Sequence, residues 1–331
     1  PTASGVTSVK VIASDGALSI SDTFDINAVT VPVVQSFTVT DSATANGANR
    51  GKSGETLTFV VTLSESVTTT GSLTAVFSVN GTNVTAISSA VSGVSTITFT
   101  GASVPGTGNG TAISLTSLTS TAAITGDAYQ QPLVAPTAGA VTTSAYTVDN
   151  AVPTLNTAVI SGVDGSGLAK TTTLIAGDKV KVVLTSDEVL VGLTTADKVL
   201  LTFGGQQRDA FYVSSSGNSH AFIYTIQPND LANVVVSLGS LVLAGVVTDA
   251  VGNTFTPTLP TATGSVLVDA VAPALTITDN VTGVANSAML FTFSFSEDVV
   301  GFDVSKIAVS GGTAGAFNTV NARTYTVVVT P

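Results

Sequence analysis

The 331-residue chain has no cysteine, no tryptophan, one histidine and one methionine. Without cysteine it can hold neither a disulfide framework nor a thiolate zinc site. Charge is scarce too. Charged residues make up 9 % of the chain, with 10 basic against 21 acidic, for a net charge of −11. That balance argues against nucleic acid, because neutralising phosphates needs clustered Lys and Arg; a cation is the partner it favours. Long apolar runs are also missing. Hydrophobic residues reach 44 %, but Thr, Ser, Asp or Gly interrupts every window long before the ~18 residues of a membrane-crossing helix. No membrane insertion is expected. The chain opens on Pro1 with no signal region, and is expected to be a processed product or a window from something longer.

What remains is rich in Thr, Ser, Val, Gly and Ala. β-Branched residues favour strands, and Gly and Asn supply turns. No segment shows sustained helical periodicity, so the expected fold class is all-β.

Three anchors repeat along the chain. The first is a proline preceded by acids, as in "VDNAVPTL" at 148–155 and "VDAVAPAL" at 268–275. Pro32, Pro153 and Pro273 lie 121 and 120 residues apart. The second is an alternating strand ending in Ser, an acid and Val: "TLTFVVTLSESV" (56–67), "KVKVVLTSDEV" (179–189) and "MLFTFSFSEDV" (289–299). Such alternation marks half-buried strands. The third is an apolar strand followed by Asp in a turn, in "AAITGDAYQ" (122–130) and "GVVTDAVGN" (245–253), with a shortened copy in "VIASDGALS" (11–19). The layout that follows is two strands at 1–31, complete domains at 32–152 and 153–272, and the first part of another at 273–331. Each complete domain shows about seven strand signals, the pattern of an immunoglobulin-like sandwich. The whole reads as tandem Ig-like β-sandwich domains in a linear array.

At these anchors the chain resembles the bacterial Ig-like repeats of large secreted, calcium-dependent surface adhesins. The stretch "LFTFSFSEDVVGFDVSKIAVSGGTAGAFNTVNARTYTVVVTP" (290–331) carries the family's strand pattern, and "TDAVGN" (248–253) resembles its "TDAAGN". "VKVIASDGALSISDTFDI" (9–26) is similar to the last strands of cadherin-like repeats from the same proteins. The resemblance implies a stalk or spacer on the cell surface, often stiffened by calcium.

In an Ig-like sandwich the loops after the second and sixth strands lie at the pole beside the N-terminal linker. Asp187 and Glu188, Asp249 and Asn253, and the linker residues Asp149 and Asn150 are therefore expected to meet. Ca²⁺ takes 6–8 oxygen ligands, and the same carboxylates without a cation would repel. Asp269, Glu297 and Asp298 are the matching set at Pro273. At Pro32 the set is Asp25, Asn27, Glu65 and Asp127. His220 opens the strand "HAFIYTIQP" and is expected to be a strand-edge residue rather than part of a triad. The Asn-X-Thr sequons and the Thr-rich strands carry no assigned role.

The expected function is a non-enzymatic extracellular stalk whose junctions hold calcium. Two alternatives stay open. One is a self-assembling fibre or surface-layer subunit, with residues 1–31 donated head-to-tail to complete 273–331 of a neighbouring copy. The other is a ligand-binding adhesin module for a host or surface receptor. Self, as the adjacent repeat or the next copy, is the expected partner.

Overall fold

The computed structural model describes residues 5–43, 49–143, 145–228 and 230–331. Their regular structure is β-strand, apart from a short 3-10 turn at Val304–Lys306. The alternation sets the strands. In Thr56–Thr69, Leu57, Phe59, Val61 and Leu63 are buried while their neighbours point outward. In Lys179–Ser186 every second residue from Val180 is buried in the same way.

The first sandwich has two sheets. Val34–Asp41, Thr56–Thr69 and Val91–Ser103 form one, with Thr125–Gly126 at its edge. Leu73–Val79, Thr82–Ser88, Ile113–Ser120 and Val141–Thr143 form the other. A single pair, Ile87 with Thr100, joins them at a corner. Phe37, Phe59 and Phe77 fill the space between, with Phe59 stacked on Phe77 at 3.7 Å between ring centroids. Tyr146 is fully buried and donates its hydroxyl to Asp41 at 2.9 Å.

In the second sandwich the order runs Leu155–Val163, Lys179–Ser186, Ser219–Thr225, Gln206–Ser216, Lys198–Phe203, Val234–Val242 and Leu267–Val268. Its core includes Val180, Val182, Val199, Leu201, Phe203 and Phe222. The C-terminal unit has four strands in the order Leu275–Asp279, Met289–Phe295, Thr324–Thr330, Thr313–Asn321. Phe302 packs there against Phe293, Phe295, Phe317 and Tyr325. The chain is thus all-β, with sandwich units in tandem. At the other end Gly5–Ser14 and Ser19–Ala28 pair as a ten-rung hairpin, exposed along nearly its whole length.

One reciprocal backbone device recurs at the entry of each unit. Thr154 and Asp187 exchange one backbone and one side-chain hydrogen bond: Asp187 N–H donates to Thr154 O (3.0 Å), and Thr154 N–H donates to the Asp187 carboxylate Oδ1 (2.8 Å). Ala274 and Ser296 make the same pair, and so do Val33 and Ser64. Asp187, Ser64 and Ser296 are therefore equivalent, and the next residues, Glu188, Glu65 and Glu297, share one structural position.

Candidate metal centre

Asp149, Glu188 and Asp249 converge where the first sandwich meets the second. One carboxylate oxygen from each lies within 4.8 Å of the others. Each acid is placed by a different element. Glu188 follows the end of the strand Lys179–Ser186, on the loop that Asp187 fastens to Thr154. Asp249 sits in the turn "TDAVGN" and is buried. Its Oδ1 accepts the N–H groups of Val251 (2.9 Å) and Asn253 (2.8 Å), and its Oδ2 accepts Asn253 Nδ2 at 2.7 Å. Gly252 closes that turn at φ +88°, a left-handed value that Gly adopts without strain. Asp149 belongs to the linker, held by its N–H on Gly51 O at 2.9 Å.

The electrostatics follow from this packing. Burial, and then the charges of Asp249, Asp149 and Asp187, push the Glu188 carboxyl up to about 7, against a smaller opposing effect of Arg50. Asp187 is held below the usual carboxylate range: although burial, its largest influence, raises it, hydrogen bonds from Thr154 outweigh that. The donors are all oxygen, which suits a hard cation such as Ca²⁺ rather than a soft thiolate-seeking metal.

Other expected ligands lie elsewhere. Both oxygens of Asp187 are engaged by Thr154, whose hydroxyl donates to Oδ2 at 2.7 Å. Asn150 serves the first sandwich: its Oδ1 accepts Ser53 N–H, and its Nδ2 donates to Pro105 and Gly108 carbonyls. Asn253 bridges the units by donating Nδ2 to Asp149 O at 2.9 Å.

At Pro273, Asp269 donates its N–H to Leu174 O, as Asp149 does to Gly51, and its Oδ1 is buried without a hydrogen-bond partner. Glu297 is half-buried and holds the Glu188 position, whereas Asp298 is exposed and pairs with Arg323 at 2.6 Å. At Pro32 the set does not assemble. Asp25 takes the Ser8 hydroxyl within the hairpin, and Asn27 is paired across it with Val6. Asp127 accepts Thr68 Oγ1 at 2.7 Å and is exposed. Glu65 alone turns inward, both its oxygens buried and unpartnered. The residue facing it is Gly126, where an added Cβ would lie 3.0 Å from the Glu65 carboxyl carbon. Thr125 pairs with Thr68 as Thr248 pairs with Val191, so Gly126 stands where Asp249 does. The three buried side-chain oxygens that lack partners among the described residues thus belong to Glu65 and Asp269, the counterparts of Glu188 and Asp149.

Two basic residues at the centre have no counterpart in the sequence expectations. Arg50 Nη2 meets Asp149 Oδ2 at 2.9 Å, and Lys52 Nζ donates to Gly252 O across the junction. Their signal was available: "NRGKSGE" (49–55) places two of the chain's 10 basic residues two positions apart. His220 is buried, with its ring nitrogens on Ser186 Oγ (3.0 Å) and Ser215 Oγ (2.7 Å).

Residues 269–331 match the family of bacterial Ig-like domains. None of the curated proteins matches the chain. Among solved structures, the full extracellular region of plexin A4 is similar over 89 % of this chain and 36 % of that one, at 8 % identity and a TM-score of 0.22. This chain therefore spans about a third of that protein's length.

Proposed function

We propose that the chain is a non-enzymatic extracellular spacer of a bacterial cell surface, whose first complete junction is stiffened by a bound calcium ion. The observation that carries this reading is the convergence of Asp149, Glu188 and Asp249 from three elements and two sandwiches. A cation there would add its bonds to Asn253 Nδ2 on Asp149 O and Lys52 Nζ on Gly252 O, which already cross the joint. It would also relieve the repulsion that holds the Glu188 proton. Asp149, Glu188 and Asp249 would be its carboxylate ligands; Asp187 acts one step back, fixing the loop that carries Glu188.

The test is calcium titration by isothermal calorimetry, paired with small-angle scattering in calcium and in chelator. Saturable binding that disappears in the Asp249→Asn variant, with a narrower spread of interdomain distances in calcium, is the expected result. Heats that Asp249→Asn leaves unchanged would remove the site.

A further inference from the structure

The chain's one histidine lies at the base of the loop that carries Glu188. His220 and Ser186 are 1 % and 2 % exposed, and His220 Nε2 meets Ser186 Oγ at 3.0 Å. The Ser186 hydroxyl also reaches two carbonyl oxygens, those of Glu188 and, at 3.2 Å, Asn218. A carbonyl only accepts, so the single hydroxyl proton is directed at these oxygens, and Ser186 offers His220 a lone pair. The network therefore assigns the ring proton to Nε2. On the other side, Nδ1 lies 2.7 Å from Ser215 Oγ, which lies 2.9 Å from the Tyr212 hydroxyl. Burial keeps the ring neutral near and above its ordinary range, so Nδ1 accepts from Ser215, and Ser215 accepts from Tyr212. The donors run in one direction: Tyr212 to Ser215, Ser215 to His220, His220 to Ser186, Ser186 to Glu188 O.

The same two positions are filled differently in the other units. Ser186 stands opposite Leu155, Leu63 opposite Val34, and Phe295 opposite Leu275, each one residue before the entry cap. Two residues earlier on the same strands, Leu184 pairs with His220, Val61 with Ile97, and Phe293 with Tyr325. Ser186 and His220 thus replace Leu63 and Ile97 of the first sandwich, which are buried and apolar. In the C-terminal unit the pair is Phe295 and Tyr325, whose rings meet edge to face at 6.0 Å. Putting a hydroxyl and an imidazole in this place gives up apolar burial, and is tolerable only when both are hydrogen-bonded. Among the described residues, the exchange occurs in the unit where Asp149, Glu188 and Asp249 assemble.

What the pair holds is the backbone of the ligand-bearing loop. The Ser186 amide donates to Asn218 O at 2.9 Å, and Asn218 Nδ2 donates to Asp187 O at 3.0 Å. The Ser186 hydroxyl then fixes the carbonyl of Glu188 itself. We propose that His220 and Ser186 are positioning residues of the joint: the Nε2–H tautomer turns the Ser186 hydroxyl onto Glu188 O, and so fixes the direction in which the Glu188 carboxylate meets Asp149 and Asp249. Neither residue touches the cation. The inference rests on the reading of this joint as a calcium site, and adds to it the groups that set the ligand's geometry. Removing an outer partner of this kind weakens metal binding roughly 10–100-fold.

Two measurements test it. Because the chain has a single histidine, its ring nitrogens need no assignment in a ¹⁵N-labelled sample. Long-range ¹H–¹⁵N correlation at pH 8 should show the Nε2–H tautomer, in calcium and in chelator; the Nδ1–H tautomer, or a mixture, would overturn the proton order. The second is calcium titration by calorimetry of the double variant Ser186→Leu, His220→Ile, which carries the first sandwich's own pair. In chelator it should melt no lower than the parent, yet it should bind calcium roughly tenfold more weakly. A purely structural pair would not separate these two readouts. Should the double variant melt lower, the single variants decide. His220→Gln, which keeps an N–H at this place, should bind calcium like the parent, and Ser186→Ala roughly tenfold more weakly; equal affinities of the two overturn the proposal. Parent and double variant binding equally well would remove this inference alone. A parent that takes up no calcium would remove the reading of the joint, and this inference with it.

Discussion

Replacing Glu188 by Gln should stabilise the second sandwich in chelator and weaken its response to calcium. The Glu188 carboxyl stands at about 7 against an ordinary 4.5. At about 1.36 kcal/mol per pKa unit, ionising it in the folded state costs up to ~3 kcal/mol, reduced to about 2–3 by its partial exposure. The sign follows from proton linkage. A carboxyl with a raised folded pKa binds its proton more tightly when folded, so stability is highest below about 4.5 and falls as pH rises through about 7. Gln removes that cost without changing the shape. In chelator at pH 8 the variant should therefore melt roughly 10 °C above the parent in the transition of the second unit, and the two should converge near pH 5. Calcium closes this gap. A ligand at a hundred times its dissociation constant adds about 2.7 kcal/mol, a gain that the variant, lacking one of three carboxylates, should largely lose. Differential scanning calorimetry at pH 5 and pH 8, each with calcium and with chelator, reads all four conditions. Coincident melting of parent and variant in chelator at pH 8 would refute the repulsion, and equal calcium gains would refute the ligand role.

Other substitutions separate the frame from the site. Asp187→Ser should be nearly neutral in thermal melting, because Ser64 and Ser296 make the same bond in the other units, whereas Asp187→Ala should cost about 1–3 kcal/mol by stranding the Thr154 amide. Gly126→Asp restores the acid missing opposite Glu65; it should lower the first sandwich's melting temperature in chelator and create a calcium-dependent recovery that the parent lacks. Burial holds His220 below its ordinary 6.5, so the contribution of its neutral ring to the second sandwich is complete above that pH and is lost as pH falls, opposite in sign to that of Glu188; His220→Gln should flatten this part of the pH profile measured by circular dichroism.

Much of the architecture was legible because strand alternation and a proline every 120 residues are local signals. The register of the acids was not. Matching the three strands on Ser-acid-Val lays Ser186 over Ser64, but the backbone lays Asp187 there. Asp and Ser are interchangeable at that point because the cap needs only one accepting oxygen, so sequence similarity cannot choose between them. The same one-residue slip makes Asp298 look like a ligand when Glu297 holds the position. It also makes Asp127 look like Asp249, when the pairing of Thr125 with Thr68 puts Gly126 there. In a strand or tight turn one residue of slip sends a side chain to the opposite face, which is why Asp127 points to Thr68 and not to Glu65. Arg50 and Lys52 were missed for another reason: they come from the preceding unit's first long loop, and only the following unit's loops had been brought to the pole.

The bond that fixes each unit's entry and the acid that follows it are adjacent but independent. The cap at Ser64, Asp187 or Ser296 is satisfied within its own unit, so it needs no cation to form. The next residue is a Glu in all three units, and only its surroundings differ: Gly126 beside Glu65, and Asp249 with Asp149 beside Glu188. Charge at the joint can therefore vary from unit to unit with little effect on the core. The cost of the three-acid cluster falls on the cation-free state, through the raised Glu188 carboxyl. Local strain of this kind is what a cation-binding site predicts of its cation-free state. A purely structural joint would gain from a neutral residue at position 188 with or without calcium, whereas a cation site would gain only in chelator, and the calcium response of Glu188→Gln distinguishes the two.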